Sequence, residues 1–256
     1  MRELTHFSLF TGVGGVDLAA EWAGFETVGQ CEFADYPTKV LEKHWPNVPR
    51  WRDIRDVTTE SIEQKIGLRA IDLVSGGFPC QPFSVNGKRE GENDDRFLWP
   101  EMLRVISIIK PTWVIGENVA GIISMALDEV CVNLEEQGFQ VQPIVFPACA
   151  VGAIHRRDRC FFIAYSPDNR RSNPKYAESR SNTNRGQKES QAIEGSLACD
   201  QRKFREQIRT TEFIRTSNGI PNRVDRIKCL GNAVVPQQVY PILKAIAEIE
   251  RNEHNG

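Results

Sequence analysis

The stretch that decides the fold is His6-Phe7-Ser8-Leu9-Phe10-Thr11-Gly12-Val13-Gly14-Gly15. His6 to Phe10 has the composition of a short strand, and the glycines follow at once. Residues 16–22 then have helical spacing, and Gly24 is a suitable helix stop. A strand, a glycine turn and a helix open a nucleotide-binding unit, in which backbone amides at the start of the helix meet the ligand.

Two acidic residues narrow the kind of nucleotide that this unit would bind. Asp17 occupies the position of the third glycine in the dinucleotide fingerprint, so a nicotinamide cofactor fits poorly. Glu26 to Cys31 predicts the second strand, which ends at Glu32, about 20 residues past the first glycine, where an acid can bind ribose hydroxyls. The alternative is a glycine cluster that only forms a turn, next to a surface acid.

A later strand, predicted for Ile71 to Ser75, leads into Gly76-Gly77-Phe78-Pro79-Cys80-Gln81-Pro82-Phe83-Ser84. The glycines allow a sharp turn, and Pro79 and Pro82 stiffen the segment around Cys80. A cysteine on a rigid loop at the carboxyl end of a strand is placed to meet a ligand. A lone cysteine is more often a packed thiol, but the residues further along the chain favour the first interpretation.

Further reactive side chains follow at later strand ends. Trp113 to Gly116 predicts a strand that ends in Glu117-Asn118-Val119, at the sheet edge where Cys80 is also expected. Arg157 and Arg159 lead into a later strand and alternate in its register, so we expect them to point to the same side. Pairing with acids is the ordinary role of such arginines and remains the alternative.

Length and composition exclude several classes of protein. The chain has 256 residues, of which 40% are hydrophobic, enough for one sizeable domain with a small appendage. No apolar run approaches a membrane span, and the first residues do not resemble a signal peptide. Seven cysteines without a Cys-x-x-Cys pair argue against a disulfide framework, and His155 and Cys160 lack further ligands at zinc spacing. We therefore expect no metal and a cytoplasmic location.

The net charge of −2 hides an uneven distribution. Between Ser166 and Lys228 there are 14 Lys and Arg against 8 Asp and Glu, whereas the rest of the chain holds 18 against 26. A basic segment on an acidic body favours a polyanionic partner, although a solvated surface is the alternative. From Ser166 to about Glu212 large apolar residues are rare, which predicts an extended or partly disordered appendage.

Five blocks of the chain resemble those of the DNA (cytosine-5) methyltransferases of the bacterial or phage type. They are Phe10-Thr11-Gly12-Val13-Gly14-Gly15, Gly77-Phe78-Pro79-Cys80-Gln81, Glu117-Asn118-Val119, Arg157-x-Arg159 and Gly231-Asn232-Ala233-Val234-Val235-Pro236. The blocks stand in the family's order, and the resemblance covers Phe7 to Tyr165 and Thr216 to Glu250. It implies an α/β, Rossmann-like S-adenosylmethionine-dependent methyltransferase fold, with a mixed, mostly parallel sheet and helices on both faces.

The resemblance also implies a division of the chain. Residues 1–165 and 229–256 would form the catalytic domain that binds S-adenosylmethionine, and residues 166–228 a short, basic, irregular target-recognition insertion. The span from Pro167 to about Ile214 is poor in hydrophobic residues for a region that reads bases, so we expect low sequence specificity or a reduced recognition module. The family usually has Pro-Gln before the paired arginines, where this chain has Ile154-His155, and we expect a change in local packing there.

The cofactor implied by the resemblance is S-adenosyl-L-methionine, with S-adenosyl-L-homocysteine as the product. Glu32 would bind the ribose hydroxyls, and Asp53 would lie over the adenine, unless it only caps the next turn. The implied cofactor-binding residues are Phe10, Gly12, Val13, Gly14, Gly15, Glu32, Phe33, Asp53, Ile54, Pro79, Asn232 and Val234.

The implied catalytic residues are Cys80, Glu117, Arg157 and Arg159. Carbon 5 of cytosine is a poor nucleophile, and addition of a thiolate from Cys80 at carbon 6 would turn the ring into an enamine that can attack the methyl group. Glu117 would assist at N3 and the amino group, and the arginines would hold the ring carbonyl oxygen.

The implied partner is double-stranded DNA, from which the target cytosine must be flipped. The loop from Phe83 to Phe97 would close over that base. We expect a monomer in a bacterial or phage-infected cell, paired with a restriction endonuclease or acting as an orphan enzyme. The alternatives are a catalytically weak or inactive DNA-binding regulator and an RNA cytosine-5 methyltransferase. Intact Cys80, Glu117 and glycine turn favour the DNA enzyme.

Overall fold

One mixed sheet organises the described part of the chain. The computed structural model describes residues 3–67, 70–79, 97–172 and 231–252. The strands are β1 (Leu4–Leu9), β2 (Phe25–Cys31), β3 (Arg50–Trp51), β4 (Leu73–Gly76), β5 (Trp113–Val119), β6 (Gln140–Pro147) and β7 (Asp158–Tyr165). They lie in the order β3-β2-β1-β4-β5-β7-β6. The pairs that involve β7 are antiparallel and the others are parallel, which confirms the predicted mostly parallel sheet.

Helices cover both faces of this sheet, as predicted. They are α1 (Gly15–Ala23), α2 (Asp35–His44), α3 (Thr59–Ile66), α4 (Trp99–Ile109), α5 (Leu127–Glu136), α6 (Pro167–Ser172) and α7 (Pro236–Asn252). Successive strand residues point to opposite faces. In β5, Val114 packs in the hydrophobic core that contains α4 and α5, whereas Ile115 packs in the core that contains α1 and α7.

Local sequence signals set the ends of the helices. Gly24 ends α1 in the left-handed conformation, with φ 87°, and its N–H bonds back to the carbonyl oxygens of the last turn. Thr58 and Ser61 form a capping box before α3: Ser61 N–H donates to Thr58 Oγ1 at 3.2 Å, and Thr58 N–H donates to Ser61 Oγ at 2.9 Å. The end at Gly24 agrees with the predicted helix stop.

The closing helix α7 packs against the first helix of the chain. Its buried residues share one hydrophobic core with those of α1. Trp113 Nε1 donates to Glu250 Oε1 at 2.8 Å, and Arg251 Nη2 donates to the carbonyl oxygen of Ala23 at 3.0 Å. The carboxyl-terminal part of the chain therefore contributes to the same layer as the nucleotide-binding opening.

The start of the predicted appendage is folded, so the prediction of an extended chain from Ser166 onward is wrong there. Ser166 N–H donates to the carbonyl oxygen of Thr112 at 2.9 Å, and Asn169 Nδ2 donates to that of Pro111 at 3.1 Å. A backbone N–H and the side chain of Asn169 thus dock α6 on the loop before β5. Residues 173–230, which hold the rest of the predicted target-recognition region, lie outside the described residues.

Candidate active site

The turn after β1 is built from residues in the left-handed backbone region. Phe10, Gly12 and Gly14 have φ values of 50°, 59° and 83°. This conformation costs a residue other than glycine about 1–2 kcal/mol, and neighbouring hydrogen bonds hold it. Thr11 N–H donates to the carbonyl oxygen of Cys31 at 3.0 Å, and Gly14 N–H donates to that of Thr11 at 3.1 Å. The turn is therefore fixed against the end of β2.

Glu32 lies beside this turn, where the sequence predicts an acid. Its Oε2 accepts from Gly12 N–H at 2.7 Å, and its Oε1 accepts from Ala34 N–H at 2.8 Å. A carboxylate oxygen has two acceptor sites, so both oxygens retain capacity for hydroxyl donors. Phe33, the next residue, is 73% exposed. A ribose and an adenine ring match these two side chains, so the residues present fit an adenosine.

Asp53 caps a short 3-10 helix that begins at Ile54. Its Oδ1 accepts from Arg55 N–H at 2.9 Å, and the two side chains form an ion pair at 3.0 Å. The Arg55 side chain holds the pKa of Asp53 below its usual range. The capping interpretation is therefore confirmed, while a position over the adenine remains a prediction. Ile54 is buried.

The segment after Gly231 returns to the glycine turn. A Cβ atom on Gly15 would lie only 2.5 Å from the carbonyl oxygen of Val234, so the two backbones are in direct contact. Asn232 in the same segment is exposed. A cavity of about 570 Å³ lies between this segment, the end of α2 and the glycine turn, and Val13 is part of its lining.

Glu117 and Arg159 form a buried ion pair between β5 and β7. Arg159 Nε lies 2.7 Å from Glu117 Oε1, and the side chains are only 14% and 11% exposed. Burial raises the pKa of Glu117, and the positive charges of Arg159 and Arg157 offset part of that rise. A raised pKa favours the protonated form of the carboxyl group, which is the form required of a general acid.

The loop after β4 begins against this ion pair. A Cβ atom on Gly77 would lie 3.0 Å from Glu117 Oε2, and Asn118 Nδ2 donates to the carbonyl oxygen of Phe78 at 3.1 Å. Pro79 is exposed at the end of the described part of the loop. Cys80 itself and the predicted lid, apart from its last residue Phe97, lie outside the described residues. The residues that lead to Cys80 are therefore next to Glu117, as the sequence predicts for one sheet edge.

Arg157 differs from its predicted geometry. It precedes β7 and has a φ of 40°, so it is not in strand register with Arg159, and the alternation argument is wrong. Its Nη2 donates to the carbonyl oxygens of Gly231 at 2.7 Å and Ala233 at 2.5 Å. Burial lowers the pKa of Arg157, and the charge of Arg159 adds to this effect. The two arginines therefore have different partners.

Two residues at the site were missed by the sequence analysis. Asn118 links β5 to the loop that leads to Cys80, and its place inside the Glu117-Asn118-Val119 block was a usable signal. Gln238 is fully buried, and its Nε2 donates to the carbonyl oxygens of Phe146 and Arg157. Its position in an amphipathic helix gave no such signal.

The described ranges contain no cluster of three or more His, Cys, Asp or Glu side chains that could hold a metal ion. Among their cysteines, Cys31, Cys131 and Cys160 carry free thiols. None of the helices in these ranges combines the length and apolar character needed to cross a membrane.

The sheet order, the glycine turn after β1 and the acid after β2 define a Rossmann-like fold of the S-adenosylmethionine-dependent methyltransferase class. The chain belongs to the C-5 cytosine-specific DNA methylase family, whose model matches residues 4–220. This confirms the family that the five sequence blocks suggested. Methyltransferases of this family depend on S-adenosylmethionine.

Curated relatives are bacterial type II methyltransferases. M.HgiCII of Herpetosiphon aurantiacus is 33% identical over 189 residues, which cover 70% of this chain and 42% of the relative. M.FnuDI of Fusobacterium nucleatum is 32% identical over 166 residues, which cover 63% of this chain and 46% of the relative. The matched part of the chain thus spans less than half the length of either relative.

Solved structures share the same fold. A DNA modification methyltransferase encoded within an E. coli prophage has a TM-score of 0.56 at 26% identity, over 66% of this chain and 48% of that chain. A Spodoptera frugiperda DNMT2 variant has a TM-score of 0.54 at 22% identity, over 64% of this chain and 50% of that chain. At this lower identity the likeness supports the fold alone.

Proposed function

We propose that the chain transfers a methyl group from S-adenosylmethionine to carbon 5 of a flipped-out cytosine in double-stranded DNA. The observation that carries this proposal is the buried Glu117–Arg159 pair, which lies against Gly77 at the start of the loop that contains Cys80. The names of the curated relatives, type II methyltransferases, support a role in DNA modification within a restriction-modification system. A paired nuclease and a monomeric state remain predictions.

The cofactor pocket would be formed by residues from both ends of the chain. Glu32 would accept the ribose hydroxyls with its remaining lone pairs, and the exposed ring of Phe33 would stack on the adenine. Val234, seated against Gly15, would close the methionine side. Bound S-adenosylmethionine supplies an electrophilic methyl group on a sulfonium. The rest of the predicted set is Phe10, Gly12, Val13, Gly14, Asp53, Ile54, Pro79 and Asn232.

Cys80 would supply the nucleophile. Its thiolate would add to carbon 6 of the cytosine, so that a carbon–sulfur bond forms and the electron pair of the 5,6 double bond becomes available at carbon 5. Carbon 5 then attacks the methyl group, and the later loss of its proton expels the thiolate and restores the ring. The stiff Pro79-Cys80 segment would keep the sulfur in place for both steps.

Glu117 would supply the proton relay to the ring. Burial raises its pKa, so a protonated carboxyl can donate at N3 as negative charge develops during thiolate addition. Arg159 would hold the ring carbonyl oxygen while its Nε keeps the carboxyl group oriented. The ion pair would thus act as one preorganised unit, since each side chain restrains the other.

Labelled methyl transfer tests this function. Purified protein is incubated with methyl-labelled S-adenosylmethionine and either duplex DNA or RNA, and the product is mapped by bisulfite sequencing. The proposal predicts label in duplex DNA and 5-methylcytosine at discrete positions. Label in RNA alone would replace DNA with RNA as the substrate, and binding to DNA without transfer would support the non-enzymatic alternative.

A further inference from the structure

Arg157 connects two parts of the protein that are far apart in sequence. One guanidinium nitrogen, Nη2, donates to the carbonyl oxygens of both Gly231 and Ala233, at 2.7 and 2.5 Å. Charge-assisted hydrogen bonds of this length are among the stronger contacts in a folded chain. Arg157 therefore holds the segment in which the chain returns to the glycine turn, residues 231–234.

Gln238 fixes the backbone of Arg157 from the other side. Its Nε2 donates to the carbonyl oxygen of Arg157 at 3.1 Å and to that of Phe146. Gln238 is fully buried in the first turns of α7, directly after the returning segment. The side chain of Arg157 thus holds the segment directly, and Gln238, from the helix that follows the segment, holds the backbone of Arg157. The backbone of Arg157 is in the left-handed region at this point, with φ 40°.

The segment of residues 231–234 forms the wall that touches the glycine turn. Val234 lies one residue beyond Ala233, and its carbonyl oxygen is in direct contact with the backbone of Gly15. Gly15, Arg157 and Val234 line the same cavity of about 570 Å³, so a shift of the segment would change the width of that cavity. By contrast, Arg159 bonds to Glu117, which lies beside the loop of the nucleophile.

We propose that Arg157 is a positioning residue for the cofactor pocket, acting through residues 231–234, and does not hold the cytosine. This inference rests on the proposed function, because it takes S-adenosylmethionine as the ligand of the pocket. It reassigns a side chain that the family resemblance placed with the substrate base. The paired arginines would then have different roles: Arg157 would position residues 231–234 beside the cofactor, and Arg159 would act with Glu117.

Calorimetric binding of S-adenosylhomocysteine, without DNA, tests the assignment. The variants are Arg157→Met, which keeps an unbranched apolar chain like the aliphatic part of arginine and removes its donors, and Arg157→Lys, which keeps the charge and a donor. Arg157→Met is expected to weaken binding about tenfold or more, because two charge-assisted bonds to the wall are lost. Arg157→Lys is expected to recover part of that affinity. The matched control, Arg159→Lys, is expected to lower kcat and to change the dissociation constant less than about twofold.

Gln238→Ala keeps the test decisive if Arg157→Met fails to fold, as judged by circular dichroism and thermal melting. This variant is expected to weaken S-adenosylhomocysteine binding in the same direction, because it releases the backbone of Arg157. Unchanged affinity in both Arg157→Met and Gln238→Ala, or in Gln238→Ala where Arg157→Met does not fold, would overturn the inference. An unsubstituted protein that does not bind S-adenosylhomocysteine would also overturn it. Because the binding is measured without DNA, a failure of methyl transfer would contradict the proposed function and leave this comparison standing.

Discussion

The carbonyl oxygen of Val234 lies against Gly15, so residues from opposite ends of the chain form one wall of the glycine turn. Because the two residues are in contact, a displacement of either one would disturb the other. A Cβ atom on Gly15 would come within 2.5 Å of that oxygen, which is closer than carbon and oxygen atoms approach without displacement. The contact explains why the turn needs a glycine at the first residue of α1.

Replacing Gly15 by alanine is therefore expected to push the returning segment away from the turn. Binding of S-adenosylhomocysteine should weaken at least about tenfold, and the melting temperature should fall, because overpacking costs about 1–3 kcal/mol. Calorimetry and thermal melting measure both effects. Gly121→Ala is the matched control, since its added Cβ would only meet Met125 at an ordinary distance of 3.4 Å. Equal behaviour of the two variants would contradict the described contact.

Glu117→Gln tests the proton relay. An amide of the same size keeps the packing but cannot give up and regain a proton, so kcat should fall by about 10²–10⁴-fold. The dissociation constant for S-adenosylhomocysteine should stay the same, because Glu117 faces the nucleophile loop and not the ribose. Glu248→Gln, in an exposed pair with Lys244, is the control and should leave kcat unchanged. A Glu117→Gln enzyme with normal kcat would rule out the relay.

Asn118→Ala tests how the nucleophile loop is held. Its Nδ2 bond to the carbonyl oxygen of Phe78 ties the loop to β5 just before Cys80. Without it the sulfur should be less well placed, and the rate of transfer should fall by about 10–100-fold, since catalysis is sensitive to small misplacements. Single-turnover methyl transfer at saturating cofactor measures this step. A rate equal to that of the unchanged protein would show that the loop does not depend on Asn118.

The buried histidine of β1 predicts a pH dependence of stability. His6 Nε2 lies 2.7 Å from Ser75 Oγ and Nδ1 lies 3.1 Å from Thr27 Oγ1, and burial lowers the pKa of His6 to about 3. Because the folded pKa lies below the unfolded value of 6.5, this stabilisation is present above pH 6.5 and is lost as the pH falls towards 3. The loss should be about 1.4 kcal/mol per pH unit. His6→Gln should remove this slope in urea unfolding between pH 7.5 and 5.5.

For Asp17 the dependence of stability on pH has the opposite sign, so this residue serves as the internal control. Burial raises its pKa to about 6, although Gln30 Nε2 and Ser8 Oγ both donate to its carboxylate. Its stabilisation is therefore present below the unfolded pKa of 3.8 and is lost as the pH rises towards 6. Asp17→Asn should gain stability relative to the unchanged protein as the pH rises from 4.5 to 7.5. Parallel pH curves for both variants and the unchanged protein would refute the two shifts.

The parts of the site that depend on local sequence could be predicted. The strand, glycine turn and helix at residues 6–24 are specified by adjacent residues. Glu32 follows the next strand, and it lies beside the glycine turn because the carboxyl ends of parallel strands meet at one edge of the sheet. The same argument placed Glu117 at the edge that contains the loop of Cys80. These signals need no knowledge of distant contacts.

The remaining features depend on contacts between distant residues. Arg157 was expected in strand register, but its partners lie at Gly231 and Ala233, and no local pattern indicates that bond. Asp17 looked like a defect in a dinucleotide fingerprint, yet the fold buries it beneath the turn, where Ser8 and Gln30 donate to its carboxylate. Tertiary hydrogen bonds of this kind join distant residues and therefore leave no periodic pattern in the sequence.

Trapping of a covalent protein–DNA complex tests the central claim most directly. Duplex DNA with 5-fluorocytosine at the mapped target is incubated with the protein and S-adenosylmethionine, and the products are separated under denaturing conditions. Fluorine cannot leave carbon 5 as a proton does, so the carbon–sulfur bond should persist, and mass spectrometry should place it at Cys80. Cys131→Ala should form the same complex, whereas Cys80→Ala should form none. A stable complex with Cys80→Ala would contradict the account.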